Sequence, residues 1–355
     1  MNKQIIDQFI QDGIDRGIFP GAVVGIYKDD ETVFIEAYGN RLIVPYKLPM
    51  LKDTIFDLAS LTKPIATATS IMILKEKNAL FSSKKGLNEN LSKYLPNFTK
   101  SGINIFHLLT HTSGLSAWKP LYIDAKDTGI IDYLSNLPLE YETGTKVLYS
   151  CLGYILLGKM IEKITGISLD EFAKREIFLP LGMKDTFFNP PENRRNDCAG
   201  TEDSNSFERR MTNYRDYKWR EGVVVGEVHD ENAHFLGGVS GNAGLFSTAS
   251  DLLRYSAMLI NGGENILSNE SVKAIATNHT LGLNDSRSIG WLIYPDGTLY
   301  HSGFTGTAIW INLEYRSSVV LLTNRVHPDA TKEGIIGFRQ NFYSSFIKPF
   351  VFNLE

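Results

Sequence analysis

A serine and a lysine three residues apart, Ser60 and Lys63, form the arrangement in this sequence that is best suited to covalent chemistry. At the start of a helix, positions i and i+3 lie on one face about 5 to 6 Å apart, so a lysine nitrogen reaches the serine hydroxyl. The free N–H groups and partial positive charge of the helix N-terminus favour a developing oxyanion. A serine hydroxyl is a weak nucleophile at neutral pH, and this arrangement supplies the help that acyl transfer needs.

The S-x-x-K spacing occurs by chance in chains of this size, and it appears here twice more, at residues 82–85 and 345–348. Neither of those copies opens an apolar helix. Ser60, in contrast, follows a strand-like segment at 54–56 and precedes a helical pattern over residues 62–77. The alternative interpretation of Ser60 is a plain helix N-cap.

Two further motifs lie at characteristic distances from the first. Tyr149 and Cys151 enclose Ser150 about 90 residues later, and His301 and Gly303 enclose Ser302 about 240 residues later. With the S-x-x-K motif they resemble, in order and spacing, the three motifs of the serine β-lactamases and penicillin-binding proteins: S-x-x-K, Y-x-N, and K-T-G or its H-x-G variant. The resemblance is closest to the class C branch, which also contains D-alanyl-D-alanine carboxypeptidases and esterases.

The resemblance extends from about Gly21 to Arg325. Residues 108–115 (LLTHTSGL), 241–248 (GNAGLFST) and 320–325 (VLLTNR) are similar to stretches typical of that family. The implied fold is α/β (α+β): an antiparallel sheet flanked by helices, with an all-helical insertion domain, as in the β-lactamases and transpeptidases.

The resemblance also implies a role for each matching residue. Ser60 would be the acylated nucleophile, and Lys63 and Tyr149 would accept and return its proton. The oxyanion hole would consist of the backbone N–H groups of Ser60 and Phe304. Gly303 would lack a side chain because the substrate pairs alongside that strand edge. No metal and no organic cofactor is required.

Two positions depart from the family pattern. Cys151 stands where the family usually has Asn, and a thiol donates and accepts hydrogen bonds only weakly. His301 stands where Lys is usual and would be only partly charged at pH 7. Both changes weaken recognition of a β-lactam or of a D-Ala-D-Ala terminus. Tyr149 needs a neighbouring cation to lower its pKa from about 10, with Lys63 the first candidate and His301 the second.

Other polar residues have structural interpretations. His107 and His111 are four apart, but no third ligand accompanies them, so zinc is not favoured, and His111 is expected to be a buried hydrogen-bonding residue. Residues 228–232 are expected to form a cap or loop near the cleft rim. Residues 191–222, which mix charges of both signs, are expected to form a long surface loop. Cys151 is expected to fill space rather than to react.

Strand signals at both ends of the chain and helical signals in the middle predict how these residues are positioned. A hairpin at 22–37 and strands at 299–301, 307–312 and 318–323 would form one sheet. We therefore expect one α/β domain from residues 1–82 plus 236–355, a mostly helical insertion from residues 83–235, and the active site in the cleft between them.

Composition excludes several classes of protein. Of the 355 residues 43% are hydrophobic and 21% are charged, as in a folded globular protein, and the net charge of −4 argues against nucleic acid as a partner. No apolar run approaches the roughly 18 to 20 residues of a membrane helix. The sequence as written predicts a cytoplasmic protein, or a secreted one if a leader was removed. The oligomeric state is left open.

The combined prediction is a serine hydrolase that forms an acyl-enzyme on Ser60. Its substrate would be a small ester, β-lactam or peptide, and the activity a carboxypeptidase, β-lactamase or esterase activity. The alternative is a catalytically silent protein of the same fold that binds penicillin or peptide. The presence of Ser60, Lys63 and Tyr149 together argues against that alternative, since a pure binding protein does not need all three.

Overall fold

A seven-stranded antiparallel sheet, built from the two ends of the chain, forms the centre of the fold in the computed structural model, which describes residues 3–77 and 86–352. The strands are β1 (Gly21–Lys28), β2 (Glu31–Leu42), β3 (Leu48–Pro49), β4 (Phe56–Asp57), β5 (Phe187–Phe188), β6 (Leu245–Ser247), β7 (Leu292–Ile293), β8 (Leu299–Ser302), β9 (Ala308–Asn312) and β10 (Ser317–Thr323). The large sheet has the order β3-β2-β1-β10-β9-β8-β7, and a small sheet has the order β4-β6-β5.

Helices pack around these sheets. The α-helices are α1 (Lys3–Asp15), α2 (Thr69–Glu76), α3 (Ile105–Leu109), α4 (Leu121–Asp124), α5 (Ile130–Asn136), α6 (Cys151–Thr165), α7 (Leu169–Ala173), α8 (Ser206–Thr212), α9 (Glu231–Phe235), α10 (Ala249–Ile260), α11 (Asn269–Ile275) and α12 (Ile335–Phe342). Short 3-10 turns lie at Ala59–Leu61, Gly86–Asn88, Leu91–Lys93 and Glu192–Asp197, and wider π-type turns at Lys63–Ala68, Lys174–Phe178 and Tyr343–Val351.

Both faces of the large sheet are buried, so its central strands are apolar at nearly every position. Val23 and Leu322 face the core that contains α10, while Val24 and Leu321 face the core that contains α1 and α12. The predicted hairpin and the three predicted C-terminal strands are confirmed, because β1 pairs with both β2 and β10, and β9 pairs with β8 and β10.

The small sheet positions the predicted nucleophile. β4 ends at Asp57, three residues before Ser60, and pairs with β6. β5 pairs with the other side of β6 although it comes from the predicted insertion, so that segment is mostly helical rather than entirely so. The division into two domains stays a prediction, and its boundary at residues 82 and 83 lies outside the described residues.

The helix predicted over residues 62–77 is present as a π-type turn followed by α2. Of the two other S-x-x-K matches, the one at 82–85 lies outside the described residues. In the one at 345–348, Ser345 is exposed and donates to Asn341 Oδ1 at 2.8 Å. Across residues 3–77 and 86–352, no helix is both long enough and apolar enough to cross a membrane.

Candidate active site

A strained turn presents Ser60 at the start of its helix. Ala59 has a φ of +46°, which is uncommon for a residue with a side chain. Asp57 holds this turn, since its Oδ1 accepts a hydrogen bond from the Ala59 N–H at 2.8 Å. The Thr62 hydroxyl donates to the Ala59 carbonyl at 2.7 Å. These local bonds direct Ser60 into a cavity of about 1040 Å³ that it lines together with Tyr149 and His301.

Lys63 is fully buried and reaches the serine from one helical turn away. Its Nζ donates to Ser60 Oγ at 2.9 Å and to the Asn242 carbonyl at 3.0 Å. The same nitrogen lies 4.8 Å from the centre of the Tyr149 ring. The structure therefore brings together the three residues that the sequence predicts to carry the chemistry. The stretch at 241–248 contributes the Asn242 carbonyl, which accepts a hydrogen bond from Lys63 and holds it in place.

The protonation of this group differs from the sequence-based prediction. Burial raises the pKa of the Tyr149 phenol, and the nearby Lys63 ammonium only partly opposes this. For Lys63, burial lowers the pKa, but negative charge on Cys151 or Tyr149 raises it, and the sum lies above the ordinary value. Lys63 therefore acts on the Tyr149 pKa in the predicted direction, but burial outweighs it and the net pKa lies above the usual range. At neutral pH the resting pair is an ammonium beside a neutral phenol.

His301 is a neutral side chain rather than a partial cation. Burial lowers its pKa well below 6.5, and the charges of Lys63 and Arg287 lower it further. Its Nδ1 lies 3.1 Å from the Ser302 carbonyl, which can only accept, so Nδ1 carries the proton. Its Nε2 is buried without a hydrogen-bond partner among the described residues. His301 therefore does not supply the cation expected for Tyr149 or for a substrate carboxylate.

The loop after β8 contains Phe304, whose N–H is predicted to form the second half of an oxyanion hole. Phe304 is 39% exposed and lines the cavity with Gly303 and Ser60. Gly303 has a reason to be glycine in addition to the predicted substrate pairing. A Cβ there would lie 2.4 Å from the Leu58 carbonyl oxygen and 2.3 Å from Thr307 Oγ1. The absent side chain lets the loop approach the nucleophile turn, irrespective of any substrate.

Cys151 occupies the first position of α6 and lines the cavity. Burial raises the pKa of its thiol, although Lys63 opposes this, so the thiol is neutral and weakly reactive. The preceding Ser150 caps the helix by accepting from the Gly153 N–H at 3.2 Å. His111 is buried, as predicted, and its Nδ1 accepts from the Ser150 N–H at 3.0 Å. Its ring packs against Tyr149 with 4.5 Å between ring centres.

The prediction of a surface loop over residues 191–222 is wrong in its middle. This segment contains α8, whose Phe207, Glu208 and Met211 line the cavity. Glu208 is buried, and this burial raises the pKa of its carboxyl to about 8. An apolar pair four residues apart, Phe207 and Met211, is the sequence signal for such a helix face. The many charged residues of the segment favoured the prediction of a surface loop over that of a helix.

Residues 228–232 lie at the cavity wall as predicted. Asp230 caps α9 by accepting from the Ala233 N–H at 2.7 Å. His229 forms a buried pair with Glu202 at 2.9 Å between Nε2 and Oε2. Burial lowers the pKa of His229, but Glu202, Glu208 and Asp57 together raise it, so the net direction is upward. The His229 ring stacks on Phe304 with 5.6 Å between ring centres.

Three arginines line the cavity wall without a role predicted from the sequence, although one of them ends the family-like stretch at 320–325. They are Arg287, Arg325 and Arg339. The Arg287 guanidinium lies 5.6 Å from the centre of the Tyr149 ring and is paired with Asp285 at 2.8 Å. Their roles depend on residues distant in sequence, so spacing alone could not identify them.

Comparison with known proteins places the chain in a family. The sequence profile of the beta-lactamase family matches residues 6–339, and the chain belongs to that family. The N-acetylmuramyl-L-alanine amidase of Bacillus subtilis (strain 168) is 34% identical over 91% of this chain and 80% of its own length. The "Putative D-alanyl-D-alanine carboxypeptidase" of Escherichia coli (strain K12) is 29% identical over 91% of this chain and 82% of its own length.

Solved structures show the same fold. A class C beta-lactamase superposes with a TM-score of 0.74 at 19% identity, over 97% of this chain and 96% of that one. EstCE1, described as a hydrolase with promiscuous acyltransferase activity, has a TM-score of 0.71 at 23% identity, over 91% and 93% of the two chains. The predicted β-lactamase/transpeptidase-like fold is confirmed. Family and relatives together indicate a hydrolase of the β-lactamase and penicillin-binding protein family.

Proposed function

We propose that this protein hydrolyses amide or ester bonds through an acyl-enzyme on Ser60. The observation that carries the proposal is the 2.9 Å hydrogen bond from the buried Lys63 Nζ to Ser60 Oγ, beside Tyr149 and opening into the cavity. A structural N-cap serine would not need a buried lysine amine directed at its hydroxyl. Burying an ammonium is costly unless it is well partnered, so a plain capping role does not explain this arrangement.

The chemistry follows from these positions. Ser60 Oγ attacks the substrate carbonyl, and its proton passes to the Lys63–Tyr149 pair once that pair has lost one of its own protons. The N–H groups of Ser60 and Phe304 would hold the oxyanion of the tetrahedral intermediate. The pair then returns the proton to the leaving amine or alcohol. Water hydrolyses the resulting ester, and Ser60 regains its hydroxyl.

We propose carboxypeptidase or esterase activity as the specific reaction. The names of the relatives suggest a bond of a peptidoglycan fragment, either the one before a terminal D-alanine or the one between muramic acid and L-alanine. A D-Ala-D-Ala terminus carries a carboxylate, and neutral His301 supplies no cation for it. Arg287 lines the same cavity, and its guanidinium lies 5.6 Å from the centre of the Tyr149 ring. We assign substrate carboxylate binding to Arg287 within this proposal.

The test is covalent labelling followed by mass measurement. Wild-type protein incubated with a fluorophosphonate probe should gain one adduct on the peptide containing Ser60. Ser60→Ala should gain none while keeping its melting temperature, since only a hydroxyl at a cavity is lost. Ser345→Ala is the matched control, because it removes a serine from another S-x-x-K sequence and should label like wild type. Adduct formation on Ser60→Ala at the wild-type rate would overturn the assignment.

Substrate choice is then measured on three compounds. A diacetylated tripeptide ending in D-Ala-D-Ala, N-acetylmuramyl-L-alanyl-D-isoglutamine and p-nitrophenyl acetate test the carboxypeptidase, amidase and esterase reactions. Turnover that depends on Ser60 with any of them supports the hydrolase. Labelling of Ser60 without turnover of any of the three compounds would instead support the silent binding protein.

A further inference from the structure

The carbonyl groups of the loop at residues 303–307 are held by two buried arginines. Arg339 Nη2 donates to the Gly303 carbonyl at 3.0 Å and to the Thr307 carbonyl at 2.9 Å. Arg325 Nε donates to the Phe304 carbonyl at 2.9 Å. Since its carbonyls point toward these arginines, the loop can present the Phe304 N–H to the cavity.

Neither guanidinium has an acidic partner within ion-pair distance in the described part of the chain. Arg325 and Arg339 are 8% and 7% exposed. Burial lowers the pKa of both, that of Arg325 to about 10, but a guanidinium is so strong a base that it keeps its charge at neutral pH. A buried charge without a carboxylate at ion-pair distance is costly for stability. A neutral donor would hold the loop at a lower cost, so the positive charge itself needs an explanation.

The explanation lies in the peptide group that Arg339 contacts. The Gly303 carbonyl and the Phe304 N–H belong to the same peptide unit. A charged donor bound to the oxygen withdraws electron density from the unit, which strengthens the N–H as a donor. That N–H is the one predicted to bind the oxyanion, and its strengthening matters most when the negative charge develops.

We propose that Arg339 is a positioning residue of the active site whose charge, acting through the Gly303 carbonyl, strengthens the Phe304 N–H toward the acylation transition state. This inference rests on the proposed acyl-enzyme function. Arg325 complements it, since its guanidinium also lies 4.5 Å from the centre of the Phe304 ring and keeps that residue from turning. The arginines act on the loop, and neither needs to touch the substrate.

Three variants separate charge from packing. Arg339→Met removes the charge and the donor, Arg339→Gln removes the charge but keeps an N–H donor, and Arg339→Lys keeps the charge. The acylation rate constant and the half-saturation concentration for p-nitrophenyl acetate are measured separately by rapid mixing. Active sites are counted by fluorophosphonate titration. For Arg339→Met we expect acylation to slow about ten- to hundredfold, with half-saturation changed less than about twofold.

The charge-retaining and neutral variants then decide the cause. Arg339→Lys should recover most of the lost rate, and Arg339→Gln should recover little. Arg194→Met is the control for lost stability, because Arg194 pairs with Asp185 and Asp197 and does not line the cavity. It should lower the melting temperature but leave acylation unchanged. If Arg339→Met does not fold, the Gln and Lys variants alone make the same comparison.

Two results would overturn the inference in different ways. Wild-type acylation at Ser60 together with equal rates in Arg339→Gln and Arg339→Lys would reject the role of charge and leave the hydrolase standing. Absence of any acylation on wild-type Ser60 would reject the proposed function and this inference with it.

Discussion

The two sides of the catalytic cavity are built in different ways. On the nucleophile side, Ser60 and Lys63 are three residues apart, and the hydrogen bond between them spans one helical turn. On the opposite side, the loop at 303–307 is held by residues from distant parts of the chain. The hydroxyls of Thr305 and Thr307 donate to the carbonyls of Asp57 and Leu58 at 2.7 and 3.0 Å.

This difference suggests that the two sides have different tasks: one holds the reacting side chains, and the other holds the backbone that faces them. The helical side contains the proposed nucleophile and its proposed proton carriers, and the spacing of Ser60 and Lys63 follows from the helix. For the loop side we propose no reactive side chain, and its proposed task is to keep the Phe304 N–H near Ser60. Asp57 and Leu58 directly precede the nucleophile turn, and their carbonyls accept hydrogen bonds from the loop's threonine hydroxyls. We therefore expect a displacement of the loop to be transmitted to the turn that holds Ser60.

The largest effect is expected from the proton carriers of the helical side. Lys63→Met and Tyr149→Phe should each slow acylation about a hundred- to ten-thousandfold, in line with loss of a positioned acid or base. Methionine fills much of the buried volume of Lys63, so the fold should persist. The double variant should be little slower than the worse single one, because both residues act on one proton.

Rapid-mixing measurement of acylation in the two single variants and the double variant tests this expectation. Circular dichroism and thermal melting serve as the control for folding. Fully multiplicative losses in the double variant would show that Lys63 and Tyr149 act independently.

The second-largest effect is expected from displacing the loop at 303–307 while all the proposed reacting side chains are kept. Gly303→Ala places a Cβ against the Leu58 carbonyl and Thr307 Oγ1, so the loop must move away from the nucleophile turn. We expect acylation to fall about a hundred- to a thousandfold, comparable with loss of an oxyanion donor. Gly337→Ala is the matched control, because a Cβ at Gly337 meets no atom within 4 Å.

Acylation rates and melting temperatures of both glycine variants make the comparison. Gly337→Ala should behave like wild type or be slightly more stable, since alanine favours a helix. A wild-type acylation rate in Gly303→Ala would contradict the close approach of loop and turn.

What the sequence could predict follows the same division. Ser60 and Lys63 were recognisable because helix geometry relates them over three residues. The strands β8 to β10 were recognisable because each contains a short run of apolar, aromatic or β-branched residues, and a turn signal separates the last two. Arg325 and Arg339 were not, because nothing near them in sequence marks the carbonyls that they bind.

Charge states were the other limit of prediction. A histidine ordinarily has a pKa close to neutrality. Only the structure shows that His301 is buried near Lys63 and Arg287, which lowers its pKa. Tyr149 likewise has a raised pKa because its burial outweighs the effect of Lys63. Burial is a property of the assembled core, so a motif can identify such residues without fixing their protonation.

A third effect concerns pH and sharpens the account of the helical side. The pKa values of Tyr149 and Lys63 are both raised, so at pH 7 the pair holds its protons and cannot accept one from Ser60. Acylation should therefore rise with pH, by up to about tenfold per unit between pH 7 and pH 9.

The pH profile of acylation by p-nitrophenyl acetate measures this slope, after subtraction of the rate of Ser60→Ala at each pH. Tyr149→Phe sharpens the result, because a slope that persists in this variant assigns the base to Lys63. A rate that is flat from pH 6 to pH 9 would show that the base is already deprotonated at neutral pH.

The smallest effect is expected at His301, on the loop side. Since burial, Lys63 and Arg287 keep this imidazole neutral, His301→Lys adds a cation to the cavity. Nitrocefin carries a carboxylate and p-nitrophenyl acetate does not, so kcat/KM for nitrocefin relative to the ester should rise about three- to tenfold, the value of one modest charge interaction. From its sequence alone, histidine would be cationic near pH 5.5 and the advantage would vanish there. With a pKa well below 6.5, His301 stays neutral, and the advantage should be similar at pH 5.5 and pH 8. His279→Lys, outside the cavity, controls for added charge. An advantage present only at pH 8 would show that His301 is protonated at pH 5.5, and the loop side would then contain a pH-dependent charge.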